Sequence, residues 1–263
     1  MTPLHAVVLG LVQGATEFLP ISSSGHLILV PALLGWPDQG LAFDAAVHLG
    51  TALALLCYFA PELWQVAAGL LAGRVGDRRL MVALAVGTVP AALAGLALEH
   101  AVETRLRSTA VVAVTTIVGA IILWWADRQA ARGRVHELRQ VGVARAFGIG
   151  LAQILALIPG TSRSGITLSA GLFLALDRPT AARFAFLLGL PITAGAGLLK
   201  TAALARGGAG GEAWNVALGV GTSFAAGLAA IWFLIAYLRR RTLLAFVVYR
   251  LLLGALLLSM LVG

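Results

Sequence analysis

Six stretches of this chain are apolar over lengths that suit a membrane crossing: near 43 to 60, 79 to 98, 109 to 126, 180 to 200, 213 to 238 and 243 to 262. A hydrocarbon core of ~30 Å takes about 20 helical residues, slightly fewer at the short end. The rest of the composition agrees. Hydrophobic residues make up 60% of the chain and charged residues 11%, with a mean hydropathy of +0.94, whereas a soluble domain carries roughly 25% charged residues. The runs are rich in Leu, Ala and Val and do not alternate as the ~10-residue strands of a membrane barrel would. The fold class expected is an all-α integral membrane protein.

Two further apolar regions, 3 to 35 and 143 to 176, are broken in the middle by "LPISSSGH" and "IPGTSRSG". Each half is too short to cross. Irregular backbone at membrane depth persists only where protein or water satisfies its amides and carbonyls, so each region is expected to form a re-entrant helical hairpin with a polar tip. The two also resemble each other. A shift of 140 residues lays Gly10, Leu11, Gln13, Ser22, Ser24 and Gly25 on Gly150, Leu151, Gln153, Ser162, Ser164 and Gly165, while Pro20 and Pro159 miss that register by one. The expectation is a single membrane domain over 1–263, with one repeat at about 1–126 and a second at about 143–263. One hairpin and three crossings per repeat make the copies inverted in the membrane, six transmembrane helices in all. Inverted repeats bring paired broken helices together near the midplane, where such folds bind ligands.

The net charge of +8 and pI near 11.2 do not point to nucleic acid, because the basic residues lie in short loops rather than along one stripe. They carry a topology signal instead. On this arrangement thirteen fall on one side: Arg74, Arg78, Arg79, Arg128, Arg132, Arg134, Arg139, Arg145, Arg178, Arg183, Arg239, Arg240 and Arg241. The other side receives Arg105, Arg107, Lys200 and Arg206. Lys and Arg accumulate in cytoplasmic loops, so the first hairpin is expected to enter from outside, the second from the cytoplasm, and both termini to be external. No Lys or Arg precedes the first apolar stretch, so the N-terminus is read as part of the fold rather than a cleaved signal. The single Cys57 excludes an intramolecular disulfide or a cysteine-built metal site.

Glu17, His26 and Arg163 are ionisable residues inside apolar segments, where burial is costly and function is the default reading. A simpler alternative is that Glu17 and Arg163 form an ion pair that only holds the repeats together; it leaves the flanking serines and glycines unexplained. Serines before an apolar helical run read as N-caps, and a tip that opens a helix points amides and a positive dipole end at the site. Ser22, Ser24, Thr161, Ser162 and Ser164 then line a phosphate or diphosphate site, with Gly25 and Gly165 letting backbone come close. Arg163 adds a planar fork for phosphate. Anion binding alone needs neither Glu17 nor His26, which suit orientation or deprotonation of a nucleophile and protonation of a leaving oxygen. Gln13, four residues before Glu17, shares its helix face and could orient Glu17 or a water.

At these positions the chain resembles the undecaprenyl-diphosphate phosphatase family, also called the bacitracin-resistance protein family. The segments that carry the resemblance are "GLVQGATEFLPISSSGHL" (10 to 27) and "LIPGTSRSG" (157 to 165), supported by "FDAAVHLGT" (43 to 51) and "VVYR" (247 to 250). The resemblance implies a multi-pass enzyme of the bacterial inner membrane, acting at the external face. It would remove the terminal phosphate of the C55 polyprenyl diphosphate and return the monophosphate carrier to peptidoglycan synthesis. It also implies protection against bacitracin, which sequesters the diphosphate. The implied partners are undecaprenyl diphosphate and the lipid bilayer, with a homodimer left open. Divalent-cation dependence (Mg2+ or Ca2+, with Glu17 the ligand) is implied too, and no organic cofactor; Gln13, where the family's glutamate-rich motif has a second acid, weakens a two-carboxylate metal bridge. By position, Arg163 would clamp the diphosphate, and Ser23, His26 or water would attack with Glu17 as base. Ser23 with His26 as acid/base partner is the preferred assignment. Tyr249 and Arg250 either reach this pocket or anchor the last helix at the interface. The rival expectation is an inverted-repeat transporter or flippase for a phosphate-bearing lipid or anion.

Overall fold

The computed structural model describes residues 1–106, 108–130, 133–206 and 213–261. Arg107, Arg132 and the last residue of the predicted run 243 to 262 lie outside them. The described chain is helical, in the order α1 (Pro3–Phe18), α2 (Ser23–Leu34), α3 (Leu41–Leu71), α4 (Val75–Arg105), α5 (Thr109–Gln129), α6 (Val143–Ile154), α7 (Arg163–Phe173), α8 (Arg178–Arg206), α9 (Ala213–Leu238) and α10 (Leu244–Ser259). Among the described residues four helices are long and apolar enough to cross a membrane: Phe43–Leu71, Val75–Leu98, Thr109–Gln129 and Ala213–Leu238. The predicted runs 180 to 200 and 243 to 262 fall on α8 and α10, which are not among those four.

The largest departure from expectation is α3. The sequence suggests that it ends near 60, before Pro61, yet the helix runs on to Leu71. Proline removes one backbone hydrogen bond and bends a helix, and apolar residues at helical spacing beyond it ("LWQVAAGLL") keep the helix going. Pro31, Pro90 and Pro191 likewise lie inside α2, α4 and α8.

The two broken regions fold as helix, turn, helix, each starting 140 residues from the other: α1 and α2, then α6 and α7. Their first helices pack mainly against the other repeat, while the second helices also meet their own, α2 against α5 and α7 against α8. Helix α1 lies mainly against α9, while α6 lies against α4; α3 meets α8, and α5 meets α10. The first helix of each hairpin is thus seated in the opposite half of the chain. Small residues make this seating close. A Cβ at Gly14 would lie 2.8 Å from the Gly227 backbone nitrogen of α9, and one at Gly87 of α4 would lie 2.8 Å from the Ala146 carbonyl of α6, the close backbone approach typical of packed membrane helices. Beside the hairpins, the buried rings of Phe18, Phe59 and Phe186 meet edge to face. Ion pairs Asp77–Arg139 (2.6 Å), Asp127–Arg178 (2.6 Å) and Glu62–Arg183 (2.8 Å) tie together segments that loop charge assigns to one side.

Candidate active site

The backbone at the two tips is nearly the same. Ser22 and Ser162 are the N-caps of α2 and α7, at φ 74° and 67°, a left-handed conformation that costs a non-glycine residue energy and persists where surrounding structure fixes it. The Ser22 Oγ accepts from the Gly25 N–H (3.3 Å), and the Ser162 Oγ from the Gly165 N–H (3.2 Å). Each cap hydroxyl also meets the next serine but one: Ser22 with Ser24 at 3.3 Å, Ser162 with Ser164 at 3.2 Å. With the Gly25 and Gly165 amides taken by the caps, those of Ser23, Ser24, Arg163 and Ser164 at the helix starts have no partners within their own helices.

The tips touch. The Gly160 N–H donates to Ser24 Oγ (3.1 Å), and Ser164 Oγ donates to the Leu19 carbonyl (3.1 Å). Arg250 of α10 locks them from behind. Fully buried, it donates to the carbonyls of Pro20 in the first tip (3.4 Å), of Gly160 and Thr161 in the second (3.2 and 3.0 Å), and of Thr116 in α5 (3.1 Å). Spreading one charge over several carbonyls is how a buried guanidinium is tolerated without a carboxylate.

In front of this joint, Glu17 gathers the chemistry. Its Oε1 accepts from Arg163 Nη2 at 2.8 Å; its Oε2 accepts from Ser23 Oγ at 2.7 Å and from Gln13 Nε2 at 3.0 Å. His48 Nε2 stands 3.6 Å from the same Oε2, and its ring is held by Nδ1–H donating to the Asp44 carbonyl at 2.6 Å. Arg163 Nη1 donates to the Gly189 carbonyl (2.7 Å) and to Thr193 Oγ1, both on α8. These contacts leave guanidinium donors over for a ligand. A cavity of about 290 Å³ opens here, lined among others by Glu17, Ser23, Ser24, His48, Gln153 and Arg163. Its size is at the lower end of ligand pockets, about 300 Å³.

The structure therefore brings Glu17, Ser23, Ser24, Ser162 and Arg163 to one cavity, with Gln13 behind Glu17. It holds Ser22, Gly25, Thr161, Ser164 and Gly165 in the frame of the tips rather than on the cavity wall. His26 is apart from that wall. Its Nδ1 meets the Ser22 carbonyl at 2.7 Å, which fixes the proton on that nitrogen, so Nε2 accepts from the Tyr249 hydroxyl at 2.5 Å. Tyr249 thus contacts the first tip, and Arg250 braces both tips. His48, Gln153 and Thr193 were not foreseen as site residues. The signal for His48 was available: an imidazole inside a predicted span.

The donor set bears on a metal. Among the described residues no group of three or more His, Cys, Asp or Glu could hold a metal ion, and one carboxylate stands in the cavity. The buried Gln13 Oε1 is without a hydrogen-bond partner. Glu17 alone suits a hard cation that takes its remaining ligands from phosphate and water, as Mg2+ commonly does, and does not suit an all-protein cage; Gln13, whose Nε2 is turned to Glu17, is not among the residues of the cavity wall.

Comparison with known proteins places these residues in a family. Residues 6–256 match the family model described as bacitracin resistance protein BacA. The undecaprenyl-diphosphatase of Teredinibacter turnerae is 48% identical over 262 residues, covering 98% of both chains. Those of Alcanivorax borkumensis and Moorella thermoacetica are 49% identical over 261 residues and 47% over 262, covering 97% and 98% of both chains.

Proposed function

The chain belongs to the bacitracin resistance protein BacA family, and from that premise we propose that it is an undecaprenyl-diphosphatase. It is a membrane protein that hydrolyses the terminal phosphate of undecaprenyl diphosphate, regenerates the monophosphate carrier for peptidoglycan synthesis and so protects against bacitracin. The observation that carries the reading is one carboxylate, Glu17, that holds a serine hydroxyl at 2.7 Å and an arginine at 2.8 Å on one cavity.

In this mechanism the diphosphate head enters between the tips while the prenyl tail stays among apolar helix faces in the bilayer. Arg163 and the uncapped amides that open α2 and α7 bind the phosphate oxygens and stabilise charge that develops on them. Glu17 Oε2 takes the proton of Ser23 Oγ. The Oγ–P bond forms as the bridging P–O bond breaks, and undecaprenyl phosphate leaves with that electron pair and with the proton that Glu17 had taken. Water then attacks phosphorus and gives a proton to the freed Glu17 carboxylate, and the Oγ–P bond breaks to release inorganic phosphate as Glu17 returns that proton to Ser23 Oγ. His26 holds the Ser22 carbonyl and Tyr249, which keeps the first tip in register. When bound, a divalent cation held by Glu17 would neutralise phosphate charge.

The same proposal takes α8 and α10 as the fifth and sixth crossings, α1–α2 and α6–α7 as re-entrant hairpins of inverted repeats, and the cavity as open to the external face of the inner membrane. What supports it is the 140-residue register, the exchanged seating of α1 and α6 and the loop charges. The test is phosphate release from undecaprenyl diphosphate by purified protein in detergent, with and without a chelator. A hydrolase turns over without any gradient; a transporter or flippase releases nothing.

A further inference from the structure

Gln153 sits on the cavity wall, 2% exposed, and neither its Nε2 nor its Oε1 has a hydrogen-bond partner. Because both ends are unpaired, exchanging the amide oxygen and nitrogen changes nothing. Buried polar atoms in native proteins nearly always have partners, so an amide with two orphaned ends beside a cavity points to a partner that arrives with the ligand.

The repeat register explains how this side chain came to be unpaired. Gln153 corresponds to Gln13, whose Nε2 is spent on Glu17 four residues along. In the second repeat the position four residues along is Leu157. The glutamine recurs without its carboxylate. Its neighbours on the wall are committed elsewhere: Glu17 to Arg163 and Ser23, and Arg163 also to Gly189 and Thr193.

The ligand must then offer both an acceptor and a donor. Phosphate oxygens supply acceptors, and the water that attacks phosphorus supplies a donor. We infer that Gln153 is a further substrate-contacting residue, its Nε2 donating to an oxygen of the transferred phosphate and its Oε1 accepting from the attacking water. The inference rests on the hydrolase reading and adds a residue of the second repeat to the water-attack step.

The test compares wild type, Gln153→Leu and Gln153→Glu in detergent, by phosphate release from undecaprenyl diphosphate and by Tm with and without inorganic pyrophosphate. Leucine removes both polar ends at similar bulk. No protein hydrogen bond is lost, so the Tm of Gln153→Leu without pyrophosphate should equal or exceed that of wild type, while kcat falls on the order of tenfold to a hundredfold and the pyrophosphate-induced rise in Tm shrinks. Gln153→Glu places a negative charge beside the anion and should raise KM more than it lowers kcat. The inference is overturned if Gln153→Leu keeps kcat and KM within about twofold of wild type, or if its activity falls in step with Tm while the pyrophosphate rise is intact. The two readings fail separately. Wild-type hydrolysis with an unaffected leucine variant removes only the Gln153 contact. A wild type that releases no phosphate, yet loses its pyrophosphate-induced rise in Tm on Gln153→Leu, removes only the hydrolase.

Discussion

The first and second hairpin tips share a backbone and differ in chemistry. Ser22 and Ser162 have the same left-handed conformation and the same cap bonds, and Ser24 and Ser164 repeat the same hydroxyl contact. At three corresponding positions the side chains diverge, Glu17 against Leu157, Ser23 against Arg163 and His26 against Ile166, and at a fourth the same residue differs in pairing, Gln13 bonded through Nε2 and Gln153 through neither end. A duplicated frame supplies two facing helix N-termini, suited to an anion. The asymmetric residues turn that symmetric cradle into a site with a carboxylate and hydroxyl on one side and a fixed cation on the other.

The largest expected effect is on the asymmetric pair. Glu17→Ala or Arg163→Ala should lower phosphate release by on the order of a thousandfold, as loss of a central electrostatic or proton-transfer group does. Each leaves a buried charge without its counterpart, so Tm is read alongside. Next, Ser23→Ala should cost on the order of a hundredfold or more in kcat with little change in KM, whereas Ser164→Ala, whose hydroxyl bonds Leu19, should cost under about tenfold; equal losses would mean that hydroxyls matter only as frame. His26→Asn, which can still donate to the Ser22 carbonyl, should retain about tenfold more activity than His26→Ala; equal activities would mean that the lost imidazole, rather than its bond to the tip, matters.

Smaller effects probe the shared frame. Ser22→Ala and Ser162→Ala each keep the left-handed backbone and lose a cap, so each should cost about 1 kcal/mol in stability, and by similar amounts. The glycine variants at both positions should stay within a few tenths of wild type, since glycine relieves the backbone. A large difference between the two tips would break the equivalence. The smallest effect lies where the second hairpin exits. Asp177 accepts from the Thr180 N–H (2.8 Å) and from His136 Nδ1 (2.8 Å). Burial pushes its carboxyl up, but the bonds from His136 and Thr180 outweigh it and the net shift is downward. A carboxylate lowered on folding stabilises above its unfolded pKa, and that contribution is lost as pH falls through the lower folded value. Solvent screening holds it below about 1 kcal/mol. Asp177→Asn should therefore flatten the acid limb of a Tm-against-pH curve slightly; a larger change at neutral pH would contradict this.

Much of the site was legible because the tips are polar and recur in register: the serines, Glu17, Arg163 and the caps stand out against apolar flanks. What was not legible depends on which helices meet. His48 and Thr193 reach the cavity from α3 and α8, and the Gly189 carbonyl of α8 holds Arg163; both helices have sequences that read as ordinary spans. The partnership of His26 with Tyr249, 223 residues away, is set by packing of α2 near α10. Arg250 appeared as a surface anchor or pocket residue because nothing local reveals that several tip carbonyls converge on it. The run past Pro61 in α3 was missed because proline is a weaker breaker within a packed membrane helix than in water.

The most direct test of the central claim exchanges the two charges. Wild type and the double variant Glu17→Arg with Arg163→Glu are compared for phosphate release from undecaprenyl diphosphate in detergent, with Tm measured on the same samples. If Glu17 and Arg163 act as base and phosphate clamp, wild type turns over without a gradient and the exchanged protein, still folded, does not, because its arginine now stands beside Ser23 and its carboxylate where the anion binds. Recovery of wild-type turnover by the exchange would show that the pair serves only to hold the two tips together.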